Sequence, residues 1–264
     1  MRFARFGLFC LILVVFPAWS KPPHPPQQTQ TATPTPAAKD PQALSILNQA
    51  LSVAGGIPAI SAIADYTATG NMTYHSSQDV QGTVTLRGLG VGQFRMDVTL
   101  PNGVRSEVDS DTSMVKFENG ISRRYNVPMN PGRFSIPTLP FPVALTSAGL
   151  SLTYKGLVTI NSRSAHEIEI QHGLPTSISD PNGYFRNFHT VDYFIDASTF
   201  QVLMTQDVVA KKSVRQIWYS DYRSVVGILV PFLISEQLDG ESTWQIALGQ
   251  MAFNSGLQDS DFQL

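Results

Sequence analysis

The side chains able to do chemistry are few, and their spacing speaks against a reaction centre. His166 and His172 fall on one face of a predicted strand. Six residues at about 3.3 Å each put them about 20 Å apart, too far to share a metal ion. His75 and His189 have no ligand spacing near them. Glu167 and Glu169, on the opposite face of the same strand, would suit acid/base work if buried, but alternation with Ile168 and Ile170 predicts a solvated outer face. Asp109 and Asp111 flank a predicted turn, and a turn role is expected of them. Gly88, Gly90 and Gly92 join two strands rather than a strand to a helix, so they lack the helix dipole a phosphate cradle uses and read as a hairpin end. No G-x-S-x-G elbow, H-E-x-x-H pair or cofactor fingerprint occurs. A non-catalytic protein without cofactor or metal is expected.

The elements that carry these residues follow an export leader. Arg2 and Arg5, an apolar run from Phe6 to Phe16 and the triplet Ala18-Trp19-Ser20 read as a signal peptide over 1–20, with the mature chain starting near Lys21. An 11-residue run spans only about 16 Å as a helix, about half a bilayer core, and no later segment is long and apolar enough to cross. The only cysteine, Cys10, lies inside this run, so the mature chain is expected to have no thiol chemistry and no disulfide. Cleavage would remove two of 18 basic residues against 20 acidic. The resulting charge of about −4 offers nothing to a nucleic acid.

Residues 21–40 hold six prolines and no large apolar side chain. They read as a disordered linker, because nothing in them repays the entropy of ordering. One β-rich domain is expected over 41–264. Asp40-Pro41 predicts a helix start, continued by Ala43, Leu44, Leu47, Ala50, Leu51 and Ala54 at helical spacing and ended by Gly55-Gly56. The period then changes to two. Tyr66, Ala68, Gly70, Met72 and Tyr74 share a face; Val80, Gly82, Val84 and Leu86 repeat it, and Phe94, Met96, Val98 and Leu100 follow. Pro101-Asn102-Gly103 and Asn119-Gly120 supply turns. Pro137, Pro140 and Pro142 exclude a central strand across 133–149, where Pro142 opens a short helix carrying Val143, Ala144 and Leu145. Strands resume from about 152 to 253, for about eleven or more strands in all. Ile228, Val230, Phe232 and Ile234, with Trp218, Trp244, Ile246, Leu248, Met251 and Phe253, supply more apolar surface. That surface reads either as a filled core or as a ligand cavity.

Several short stretches together resemble the LolA/LolB-like periplasmic lipoprotein-carrier superfamily, which includes LppX/LprG-like lipid carriers. They are Ala54-Gly55-Gly56, the hairpin Gly82–Arg87 with Gln93–Val98, Asn119-Gly120 with Tyr125, Tyr193-Phe194-Ile195-Asp196 with Thr199, Tyr219–Arg223 through Gly227 to Pro231, Asn254, and Asp261-Phe262. The resemblance implies an α+β, mainly β fold: a curved antiparallel half-barrel of about eleven strands with a short helical lid. It implies a lipid-binding cavity lined by Tyr66, Met72, Tyr74, Val84, Leu86, Phe94, Met96 and Val98, with Leu139, Phe141 and Leu145 in the lid segment. The nearest match to the family's lid-holding arginine is Arg87, followed by Gly88 where the family has proline, and alternation places Arg87 on the polar face. The expected function is periplasmic binding and transfer of a lipid or lipoprotein acyl chain by a monomer, with no cofactor and no nucleic acid. A membrane-associated protein partner suits the long linker. The alternatives are an envelope sensor or interaction module built on the same half-barrel and, third, a hydrolase with no recognised motif.

Overall fold

Asp40 begins the first helix as the sequence predicts. Its carboxylate accepts from the backbone N–H groups of Gln42 (2.7 Å) and Ala43 (3.1 Å), and Pro41 opens α1 (Pro41–Val53). The face of α1 bearing Ala43, Ile46, Leu47, Ala50 and Leu51 is buried. The computed structural model describes residues 37–110, 114–118, 120–125, 135–172, 190–209 and 213–264; the expected leader, most of the expected linker, Asp111, Asn119 and His189 lie outside them. Residues 37–40, expected in the linker, instead run parallel beside a strand, with Leu152 donating to Ala38 and Asp40 donating to Leu152.

Among the described residues thirteen antiparallel strands form one open, curved sheet, two more than the round figure expected. The chain lays down β1 (Asp65–Tyr74), β2 (Val80–Leu89), β3 (Gln93–Leu100), β4 (Gly103–Asp109), β5 (Met114–Glu118) and β6 (Ile121–Tyr125) outward in sequence. It then crosses to the far edge for β7 (Leu150–Ile160) and returns through β8 (Arg163–His172), β9 (Thr190–Asp196), β10 (Val202–Val209), β11 (Ser213–Val225), β12 (Ile228–Leu238) and β13 (Glu241–Phe253). First and last strands therefore pair in the middle, Tyr66 opposite Phe253 and Tyr74 opposite Trp244.

The helices α1, α2 (Ile57–Ser61) and α3 (Phe141–Thr146) share a single apolar cluster with one face of the sheet, the inner face. Phe141 of α3 meets Tyr193 of β9 edge to face, ring centroids 5.1 Å apart. Pro231 stands inside β12, where a proline should break the ladder. It lies beyond the last β12–β13 pair, Leu233 with Ala247. Two residues earlier, on the same side of the strand, the Leu229 N–H leaves the sheet to reach the Ala54 carbonyl at the end of α1 (3.0 Å). The proline thus removes a donor on the side of β12 that has no strand neighbour at this level, while its other side stays paired with Tyr222 of β11.

The tail straps the outer face. Asp65 accepts from the backbone of Ser255, Gly256 and Leu257 and from the Ser255 hydroxyl. Asn254 bridges Ala62 and Ala64. Arg95 donates to the carbonyls of Asp261 (3.0 Å) and Gln263 (2.7 Å). Arg87 faces outward, as alternation predicts, and pairs with Asp97 at 2.6 Å.

Candidate functional site: a cavity on the inner face

Beyond the reach of the helices, the inner face holds a cavity of about 310 Å³ between β1–β5 and β11–β13. That volume lies at the lower end of the range of about 300–1,000 Å³ typical of small-molecule sites. One wall is apolar: Leu86, Phe94, Met96 and Val98 on β2 and β3, facing Ile217, Ile234, Trp244 and Ile246. The other wall is charged and comes from β4 and β5. The tight turn after Leu100 sets Arg105 opposite Val98, Glu107 opposite Met96 and Asp109 opposite Phe94, so alternate residues of β4 turn inward. Lys116 and Glu118 join them from β5. The charges are mutually paired, Arg105 with Glu118 (2.9 Å) and Lys116 with Glu107 (2.8 Å). The Arg105 guanidinium also sits 5.1 Å from the Tyr74 ring centroid.

Deeper on the same face, β10 and β11 bring Asp207 and Arg215 together as a buried pair joined by two bonds, 2.9 and 2.5 Å. Burial works to lower the pKa of Arg215, but Asp207, with Glu236 and Asp109 adding to its field, holds it above the usual value. Asp109, 2% exposed, is raised to about 6 by burial, against the pull of Lys116 and Arg215. Asp109 does flank the turn after β4, paired with Met114 at the start of β5, and its side chain is buried.

Of the expected lipid-binding residues, Tyr74, Leu86, Phe94, Met96 and Val98 line this cavity. Leu86, Phe94 and Val98 are at the same time buried members of the cluster that the helices share, while Tyr66, Met72, Val84, Leu139 and Phe141 belong to that cluster away from the cavity, and Leu145 packs half-buried at its margin. The helices therefore fill their half of the inner face rather than roofing an empty space. The Tyr66 ring lies across Gly88, and burial pushes its hydroxyl up to about 12. The inward charges of β4 and β5 were missed by sequence reasoning, although the two-residue turn before Gly103 fixes their facing.

The remaining candidates sit elsewhere. Glu167 and Glu169 face outward, as expected, and converge with Asp192 on Lys155. His166 meets the Tyr154 hydroxyl at 3.2 Å and stacks on Phe200; burial lowers its pKa. Gly90 does form the hairpin end between β2 and β3, with φ +54°.

No protein-family model and no curated protein matches the chain. Solved structures do. A LolA superfamily protein from Nitrosomonas europaea is 11% identical, with 84% of this chain and 97% of that one covered at a TM-score of 0.54. A domain from Vibrio parahaemolyticus described as an outer membrane lipoprotein-sorting protein is 10% identical, with 84% and 96% covered at 0.52. A DUF1329 family protein from Desulfovibrio piger is 10% identical, with 84% and 97% covered, also at 0.52. Over 84% of its length this chain therefore shares the fold of these structures, a LolA superfamily protein among them, and that fold is here an open, curved antiparallel sheet with helices against one face.

Proposed function

We propose that this protein is an exported, monomeric, non-catalytic carrier that holds one acyl chain in the inner-face cavity and moves it through the periplasm. The observation that carries this reading is the cavity itself: a largely apolar wall around empty space in a LolA-like fold whose helices pack against another part of the same face. Burying methylenes there supplies about 0.8 kcal/mol each. The volume suits a single chain better than a multi-chain lipid. The leader, with Arg2, Arg5 and Ala18-Trp19-Ser20, supports export with cleavage after Ser20. The names of the similar structures, lipoprotein sorting and LolA superfamily, support an envelope role.

The test compares filling the cavity with filling the core. Met96 is half-buried on the cavity wall, whereas Met72 is fully buried in the packed cluster. Met96→Trp should leave the urea midpoint within about 1 kcal/mol of wild type and weaken a fluorescent fatty-acid probe about ten-fold, because it occupies the ligand's space. Met72→Trp should cost about 3 kcal/mol or more through overpacking. Wild-type protein that binds no acyl probe, or a Met96→Trp variant that binds it unchanged, ends the carrier reading.

A further inference from the structure

At one level of the cavity the sheet lines up two aromatic rings and a carboxylate. Tyr74 of β1 lies opposite Trp244 of β13, and Trp244 lies opposite Glu236 of β12. Directly opposed residues of antiparallel strands point to the same face with Cβ atoms about 5 Å apart. All three side chains line the cavity. The ladder is irregular at this level: Glu236 opposes Trp244 but Gln237 opposes Ser242, which leaves Thr243 as the extra residue of a bulge. Its hydroxyl donates to Glu236 Oε1 at 2.7 Å, and its carbonyl accepts from the His75 N–H at 2.8 Å. A bulge re-aims side chains, and here it fixes a carboxylate beside an indole.

The charges around this row are unequal. Three carboxylates line the cavity against two cations, and both cations are already paired, Arg105 with Glu118 and Lys116 with Glu107. Beneath them Arg215 is held by Asp207 through two bonds. An anionic head entering here meets a wall with negative charge in excess. A cationic one meets an aromatic side chain next to a carboxylate, the combination that attracts an ammonium group. Arg105 already lies against Tyr74 in this way.

We propose that the cavity selects single-chain amphiphiles whose head carries an ammonium group, cationic or zwitterionic, with the nitrogen between Trp244 and Glu236 and the tail along Leu86, Met96 and Ile246. This rests on the acyl-chain reading above and names the head it prefers. Thr243 is a positioning residue for Glu236.

The experiment titrates mature protein with dodecyltrimethylammonium, dodecylphosphocholine and dodecanoate, each below its micellar concentration, by calorimetry and tryptophan fluorescence. The first two separate a bare ammonium from a phosphate-bearing zwitterion, and tight binding by either one supports the proposal. At least one should bind about ten-fold or more tighter than dodecanoate. Glu236→Gln should weaken that ligand about five-fold or more while leaving dodecanoate unchanged or tighter. Trp244→Leu, which keeps the wall apolar, should narrow the same preference, and Thr243→Val should narrow it less. If dodecanoate binds as tightly as both ammonium ligands, or if Glu236→Gln weakens all three alike, the head-group proposal falls and the carrier reading stands. If none of the three binds, both fall.

Discussion

Gly88 is fixed by one ring. A Cβ built there would stand 2.1 Å from Cε1 of Tyr66, and that ring is fully buried, with its hydroxyl 3.5 Å from Ser135. Gly88→Ala should therefore cost about 1–3 kcal/mol in a urea melt, because neither the ring nor the two paired strands can give way. A midpoint equal to wild type would show that the ring moves freely. Asp109 supplies a pH-dependent counterpart. Its folded pKa of about 6 lies above the ordinary aspartate value of about 3.9, so the folded state holds the proton more tightly than the unfolded chain. The stability this contributes is present below about pH 4, is lost as pH rises to about 6, and is flat beyond. Asp65 and Asp97 have the opposite sign. Burial would raise them, but hydrogen bonds, and for Asp97 also Arg95 and Arg87, bring them below the usual value, so their stability is lost as pH falls through their folded pKa values. Comparing Asp109→Asn with wild type isolates Asp109. The variant's advantage should grow by about 2–3 kcal/mol between pH 4 and pH 7, read from urea midpoints at each pH. A constant difference across that range would refute a buried, titrating Asp109. Nothing in the sequence around Asp109 marks it as buried, since its facing depends on the register with Phe94 across β3.

α1 and the first three strands were readable because their signals are local. Asp40-Pro41 caps the helix by a contact two and three residues away, and the alternation from Tyr66 to Leu100 needs only the pleat. Asp40→Ala should cost about 0.5–2 kcal/mol by thermal or urea melting, with Asp40→Asn close to wild type because its side chain also caps. Equal losses in both variants would instead assign the effect to the carboxylate's charge. β4 to β6 were harder to read, because charges stand on the inner face where apolar residues are expected: Arg105 and Glu107 lie opposite Val98 and Met96. The cavity residues were half readable for a related reason. Tyr66 and Met96 sit at the same phase of the alternation, yet Tyr66 lies in the packed cluster with the helices and Met96 on the open wall. Which of the two befalls a residue depends on where α1 and α3 settle. That is decided by long-range contacts such as Leu229 to Ala54 and Phe141 to Tyr193, which no local period encodes.

Among the described residues the open sheet has two edge strands, β6 and β7, and an edge strand's backbone groups can pair with another chain. At the start of β7 the chain supplies its own cover. Residues 37–40 run parallel to the edge through three backbone bonds, Ala37 to Ala148, Leu152 to Ala38 and Asp40 to Leu152. Lys39 adds bonds from its ammonium to the carbonyls of Ala144 (2.5 Å) and Leu150 (3.1 Å), tying the end of α3 to the start of β7. The same four residues end in the cap of α1, so one short segment guards an edge, anchors a helix and fixes the segment between them. The boundary that matters physically is thus near residue 36 rather than 40, although composition alone puts Ala37-Ala38-Lys39 with the prolines before them. Two truncations separate these positions. A chain begun at Thr35 keeps every one of these bonds and should melt within about 0.5 kcal/mol of a chain begun at Lys21. A chain begun at Pro41 loses the edge pairing and the cap together, and should lose about 2–4 kcal/mol. It should also self-associate in light scattering at concentrations where the longer chain stays monomeric, because the β7 edge is bare. If the Pro41 chain melts and scatters like the Thr35 chain, residues 37–40 are an extension of the linker and the edge of β7 is protected by something else.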